Sequence, residues 1–182
     1  IQPGPFGNYL EKRKGIDQAH VAIGYNLPGL KDPLRYSAEI MNVILGVGAS
    51  SRLYMQIREN KGLAYSVNSY VDQGMSFGNG CIYLGTDKSK YSSAMKLAIA
   101  ELKKMKKVEQ KDVEEAKEQL IGQHALENED TEKVAEGLMQ YEVEGDGKEY
   151  YKYPEKIAAV KLEDVRRVAD ITRMATSILV PE

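Results

Sequence analysis

Residues 46–71 read G-V-G-A-S-S-R-L-Y-M-Q-I-R-E-N-K-G-L-A-Y-S-V-N-S-Y-V, and this stretch decides the fold. It predicts a helix, a glycine stop and a strand. Ser50 and Ser51 offer hydroxyls to a helix start. Leu53, Met55 and Ile57 supply apolar positions over the next two turns, and Gly62 is a natural C-terminal stop. Beyond Gly62 the period changes. Leu63, Tyr65, Val67 and Ser69 fall on one side of an extended chain, with Ala64, Ser66, Asn68 and Tyr70 on the other. Arg58 lies on the last helical turn and Tyr65 early in the strand, so the glycine turn can bring a cation and a phenol towards one point. Such a pair suits the carbonyl or carboxylate of an extended peptide.

Working outward, residues 18–26 form a strand pattern, with Ala19, Val21, Ile23 and Tyr25 alternating with Gln18, His20, Ala22 and Gly24. Residues 34–45 place Ala38, Met41, Ile44 and Leu45 at helical spacing after Asp32-Pro33. Gln73-Gly74 reads as a hairpin tip, and residues 76–85 as the returning strand, its glycines marking bulges or close backbone approach. Thr86-Asp87 can cap a helix over 88–107, whose lysine-rich end opposes the helix dipole. A second helix spans 110–127. A third starts at Asp130-Thr131, with Val134, Ala135, Leu138 and Met139 inward, and ends at Gly145. Short helices follow Pro154 and Leu162, and residues 177–180 close the sheet. Tyr9 opens a charged edge strand. The order predicts an α+β fold: a mainly antiparallel sheet with helices packed on one face. Residues 1–8, rich in Pro and Gly, read as a linker arm, and residues 9–182 as one domain.

S-S-R-L-Y…I-R-E-N-K-G-L-A-Y-S-V over 50–67 resembles the signature of the insulysin, pitrilysin and mitochondrial-processing-peptidase family of zinc peptidases. Q-A-H-V-A-I-G at 18–24 resembles the strand that opens each family repeat, and A-E-I-M-N-V-I-L-G at 38–46 the helix leading into the motif. The resemblance implies a clamshell of paired α+β repeats, of which only one holds zinc. It implies that Arg58 and Tyr65 hold the peptide main chain near the zinc of the other half. Arg52 matches the family pattern too, and is read as structural at the helix start. This chain resembles the later repeat of a half, and which half it belongs to stays open. In the zinc-bearing half, Arg58 and Tyr65 would be structural only. The alternative for the pair, from the residues alone, sets Arg58 against a helix carboxylate and Tyr65 in the core.

The family's zinc motif is H-x-x-E-H, with two imidazoles one helical turn apart and a glutamate base. Here H-A-L-E-N at 124–128 carries Asn128 in place of the second imidazole, and asparagine is a poor zinc ligand. The other histidine, His20, belongs to a strand pattern. No metal or other cofactor is expected in this chain; zinc is expected in a partner domain or subunit carrying H-x-x-E-H. The isolated chain is expected to be catalytically inert.

Composition narrows the remainder. With 42% hydrophobic and 29% charged residues, the 182-residue chain has the make-up of a soluble globular domain. A net charge of −2 gives no nucleic-acid footprint. No apolar run approaches the ~20 residues of a membrane span. Cys81 is the single cysteine, so no internal disulfide forms; the compartment stays open, with the cytoplasm as the default expectation. Gly46-Val47-Gly48 lacks a preceding strand and a third glycine, which argues against a dinucleotide fingerprint. Glu114/Glu115 and Glu127/Glu129 lie among lysines and read as solvated ion pairs. Tyr150, Tyr151 and Tyr153 suit a packed connector or a partner surface. The expected function is that of a non-catalytic, substrate-binding domain of a zinc metalloendopeptidase. Two alternatives remain: a catalytically dead scaffold on the same fold, and an unrelated α+β ligand-binding domain.

Overall fold

The computed structural model describes residues 7–182. Five strands form one sheet in the order β1-β5-β2-β4-β3, where β1 is Asn8–Arg13, β2 Ala19–Leu27, β3 Ser66–Gln73, β4 Gly78–Thr86 and β5 Met174–Pro181. The β1–β5 pair is parallel and the other three pairs are antiparallel, so the sheet is mixed but mainly antiparallel. Six α-helices accompany it: α1 Arg35–Gly46, α2 Tyr91–Lys104, α3 Gln110–Glu127, α4 Thr131–Glu144, α5 Tyr153–Ala158 and α6 Leu162–Val168. Of the arm expected at 1–8, residues 1–6 lie outside the described residues, and Asn8 opens β1.

The register explains why helices cover one face. Ser69 of β3 pairs with Ile82 of β4, Ile82 with Ile23 of β2, and Ile23 with Thr176 of β5. Cross-strand partners share a face, and all four residues are buried. The alternation foreseen in β2 holds, with Ala19, Val21, Ile23 and Tyr25 buried and His20, Ala22 and Gly24 only half-buried. Buried residues of α1, α2, α3, α5 and α6 join this face in one apolar cluster. The opposite face carries Tyr70, Cys81, Tyr83 and His20, and His20 Nδ1 is 2.7 Å from the Tyr83 hydroxyl.

Helix α1 meets the sheet at an unusually close seam. A Cβ at Gly46 would lie 2.5 Å from Ser69 Oγ and 2.6 Å from Ser69 N, so only glycine lets the helix end this near the strand. Ser69 Oγ donates to Asn42 Oδ1 at 2.7 Å, which satisfies a hydroxyl otherwise buried between the two layers.

Helix α4 departs from the inward pattern expected of it. None of its residues is buried; Ala135 is exposed and Met139 is 66% exposed. Its N-terminus is capped as foreseen, with Asp130 accepting from the Glu132 N–H. Helix α4 packs against a small tyrosine-rich connector, a 3-10 turn at Gly147–Lys152, and its Val134 and Leu138 do not join the main apolar cluster. Periodicity marks an apolar face, but it does not say how much protein lies beneath it.

Candidate functional site

The segment after α1 folds as foreseen in outline and differently in detail. Ser51 is buried, and its hydroxyl donates backwards to the Gly48 carbonyl at 2.7 Å instead of accepting from the next turn. The helical piece is wider than an α-helix: Tyr54–Glu59 is a π-helix, closed by the Asn60 N–H to the Met55 carbonyl at 2.9 Å. Such π turns are rare and occur often at functional sites. Leu53 and Ile57 are fully buried and anchor it, while Met55 points out at 40% exposure. Gly62 adopts φ +56°, and the Gly62 and Leu63 N–H groups return to the Arg58 and Ile57 carbonyls. The glycine stop is therefore a left-handed helix termination. The strand begins at Ser66, three residues later than the alternation suggested.

Arg58 and Tyr65 flank this turn, and both are exposed, Tyr65 at 55%. Neither the carboxylate pairing nor the core burial of the alternative reading is seen. Arg58 makes no ion pair among the described residues; its guanidinium lies over the Tyr54 ring, 5.1 Å from the centroid. The Tyr65 hydroxyl donates to Asp87 Oδ1 at 2.6 Å, and the Tyr65 N–H to the Gly85 carbonyl at 2.8 Å. The two side chains are thus fixed separately and are not bonded to each other. The hydrogen bond from Tyr65, followed by the charge of Asp87, raises the phenol pKa; the same bond, with Lys90, lowers that of Asp87. The proton stays on the phenol.

Arg52, the other arginine of the motif, pairs with Asp112 at 2.6 Å. Asp112 also accepts from the Glu109 N–H in the capping box of α3, so Arg52 ties the π-helix segment to that helix start. Asp87 was not singled out by sequence reasoning except as a helix cap. Its side chain leaves α2 uncapped and turns to Tyr65 instead. It lies twenty-two positions from Tyr65, and no local pattern could have linked them.

The H-A-L-E-N segment is packed against a cluster of tyrosines. His124 is buried at the end of α3, its ring 4.8 Å from Tyr150 and 4.9 Å from Tyr153. Burial lowers its pKa. Asn128 Oδ1 accepts from the Tyr150 hydroxyl at 2.8 Å, and Glu127 accepts from Gln123. Among the described residues, no group of three or more His, Cys, Asp or Glu could hold a metal ion. The same region lines a cavity of about 650 Å³, several of whose polar groups bond to one another or to neighbouring residues. Arg35 bonds Glu144 at 2.5 Å, and the Tyr153 hydroxyl donates to Glu39 at 2.8 Å. Burial raises the pKa of Glu39. No helix among the described residues is long and apolar enough to cross a membrane.

The sequence profile described as the peptidase M16 inactive domain matches residues 2–120, well over half of the chain. The chain belongs to the M16 peptidase inactive-domain family. An uncharacterized zinc protease of Streptomyces coelicolor is 34% identical over 158 residues, covering 84% of this chain and 34% of that protein. A protease from Helicobacter pylori superposes with a TM-score of 0.88 at 24% identity, over 96% of this chain and 44% of its own. The inactive peptidase domain of a zinc protease from Bordetella parapertussis superposes with a TM-score of 0.81 at 22% identity, covering 94% of this chain and 97% of its own. The chain spans about a third of the length of the curated relatives it matches. M16 inactive domains are thus the setting for the α+β fold seen here, within proteins named zinc proteases.

Proposed function

We propose that this M16 domain is the non-catalytic, peptide-holding part of a zinc metallopeptidase, and that Arg58 and Tyr65 are its peptide contacts. The observation that carries the reading is their placement. Both side chains stand exposed at the ends of one glycine turn, and the Arg58 charge has no carboxylate partner among the described residues. A single exposed arginine needs no explanation, but one laid over the Tyr54 ring on a π turn, one glycine turn from an oriented phenol, supports a ligand-binding role. The guanidinium suits a peptide carbonyl and the charge that develops on it. β3 follows directly and is an outer strand, so its unpaired edge can take an extended peptide as a further strand. The zinc and its H-x-x-E-H motif come from another domain or subunit.

The test is cleavage of labelled casein by the complete polypeptide, alone and mixed with candidate partners, with and without a chelator, beside this chain. Chelator-sensitive cleavage by the complete system and none by this chain is expected. Arg58→Ala is expected to lower turnover by about 10²–10³-fold, on the scale of an oxyanion-donor loss. Unchanged kinetics in Arg58→Ala and Tyr65→Phe would refute the assignment. A second reading, a scaffold on the same fold, is favoured by the apolar face that α4 leaves exposed with Met139 and Val143. No cleavage in any combination, with no bound zinc, would select it.

A further inference from the structure

The cavity of about 650 Å³ is lined by α3, α4, the first turns of α1 and the end of β3. Its volume is in the range of small-molecule pockets, about 300–1,000 Å³. It touches β3 at Val71, Asp72 and Gln73, at the far end of a strand that rises about 3.3 Å per residue. It is therefore separate from the Arg58–Tyr65 turn.

The charge in this cavity is unbalanced. Its two cations are taken, Arg35 by Glu144 and Lys133 by Glu136. Glu39, Asp72 and Glu127 line it too, and among the described residues none of the three has an ion pair. Glu39 Oε2 accepts from the Tyr153 hydroxyl at 2.8 Å, and Glu127 Oε1 from the Gln123 amide at 2.9 Å. Both donors are neutral, and a carboxylate has about four acceptor positions, so each keeps capacity to spare.

A second observation does not depend on charge. His124 is 8% exposed and lines the same cavity, and among the described residues its ring nitrogens have no hydrogen-bond partner. Burial lowers its pKa, so at neutral pH one nitrogen offers a lone pair. The rings of Tyr150 and Tyr153 stand beside it at 4.8 and 4.9 Å and line the cavity as well. Unpaired carboxylates, a free lone pair and aromatic rings all favour one kind of guest, a positive group rich in N–H donors. A metal ion is not that guest, because no three His, Cys, Asp or Glu side chains among the described residues could hold one. A longer cation reaches acceptors that stand apart. We propose that this cavity binds an organic cation, an alkylammonium or a guanidinium, with Glu39 and Glu127 meeting its charge and His124, Tyr150 and Tyr153 completing the site. Burial raises the pKa of Glu39, and a cation beside it would draw that pKa back down. The site does not rest on the peptide-holding reading of Arg58 and Tyr65.

The experiment is calorimetric titration of this chain at neutral pH with putrescine and with agmatine. Butanediol and succinate, of similar length but without positive charge, serve as controls. The cations are expected to bind with a Kd below about 1 mM and to raise Tm, and the controls to do neither. Glu39→Gln and Glu127→Gln are each expected to weaken binding about tenfold, and His124→Phe about fivefold. Glu115→Gln removes a charge from the same helix outside the cavity, and its Kd should stay within about twofold of wild type. Melting without ligand shows which variants are folded, and Glu127, at the exposed rim, gives an arm that does not disturb the interior. An acetylated Gly-Lys-Gly amide separates two sources of the same chemistry. Binding tighter than putrescine assigns the site to a basic side chain, and weaker binding to a free amine; both uphold it. No heat and no Tm rise with either cation up to ~10 mM, equal binding of a control, or unchanged Kd in folded Glu39→Gln and Glu127→Gln would overturn it.

Discussion

Replacing Glu144 with alanine strands a charge. The Arg35 and Glu144 side chains are only 12% and 11% exposed, and their atoms are 2.5 Å apart. Removing one partner of a buried pair costs about 3–5 kcal/mol, because the other charge is left desolvated. Two features of this site moderate that figure. Arg35 keeps the Leu30 carbonyl at 3.1 Å and the rings of Tyr36 and Tyr141 at 4.6 and 5.2 Å. Glu144 is also the last residue of α4, where a negative charge opposes the helix dipole by about 0.3–1 kcal/mol. Against them stands the Arg35 Nε, which is buried without a hydrogen-bond partner. The expected cost of Glu144→Ala is therefore about 2–3 kcal/mol. For a chain of this length that lowers Tm by roughly 5–10 °C, measured by scanning calorimetry. Replacing both partners, Arg35→Met with Glu144→Leu, should cost much less, since no charge is left behind. Added salt should change the wild-type value little, because a buried pair is weakly screened. A loss below about 1 kcal/mol for Glu144→Ala, or an equal loss in the apolar double variant, would refute the reasoning.

Gly46→Ala should destabilise by about 2 kcal/mol through overpacking against Ser69, read from the urea midpoint; a variant as stable as wild type would contradict the seam. His124 has its pKa lowered by burial, so the unfolded chain binds the proton more readily. Stability should fall as pH drops through about 6.5, and His124→Phe should flatten that slope; equal slopes would count against a buried neutral imidazole. Glu39 has the opposite sign. Its raised pKa favours the folded state at low pH, a contribution lost as pH climbs above about 4.3. Glu39→Gln should gain on wild type over that climb, and a pH-independent difference would contradict its burial.

Much of the fold was legible because its signals are local. The α3 boundaries of Gln110–Glu127 follow from helical spacing, and the β2 alternation from a face that is buried from Ala19 to Tyr25. Gly62 was legible because a left-handed stop is a property of one residue. The π turn was not, since nothing in Y-M-Q-I-R-E distinguishes a five-residue hydrogen bond from a four-residue one. Helix α4 misled because it packs on a connector and its stripe does not join the core. Arg58 and Tyr65 are candidates through their motif, but the motif does not point to their partners Tyr54 and Asp87, and Asp87 is reached only through the β3–β4 pairing. Caps were over-read as well: Ser51, Thr86 and Asp87 are good capping residues, but Ser51 bonds back to Gly48 and the other two make tertiary bonds that compete with their caps.

The contact between Gly46 and Ser69 has a mechanical meaning. With only the small Ser69 side chain between helix and strand, the joint has little slack, and α1 cannot slide along β3 without driving its Gly46 backbone into Ser69. Packed layers that deform do so by small sliding steps, and this seam blocks that mode. The sheet and its first helix therefore behave as one stiff body. The Arg58–Tyr65 turn, joined to β3 directly, is carried on that stiff body.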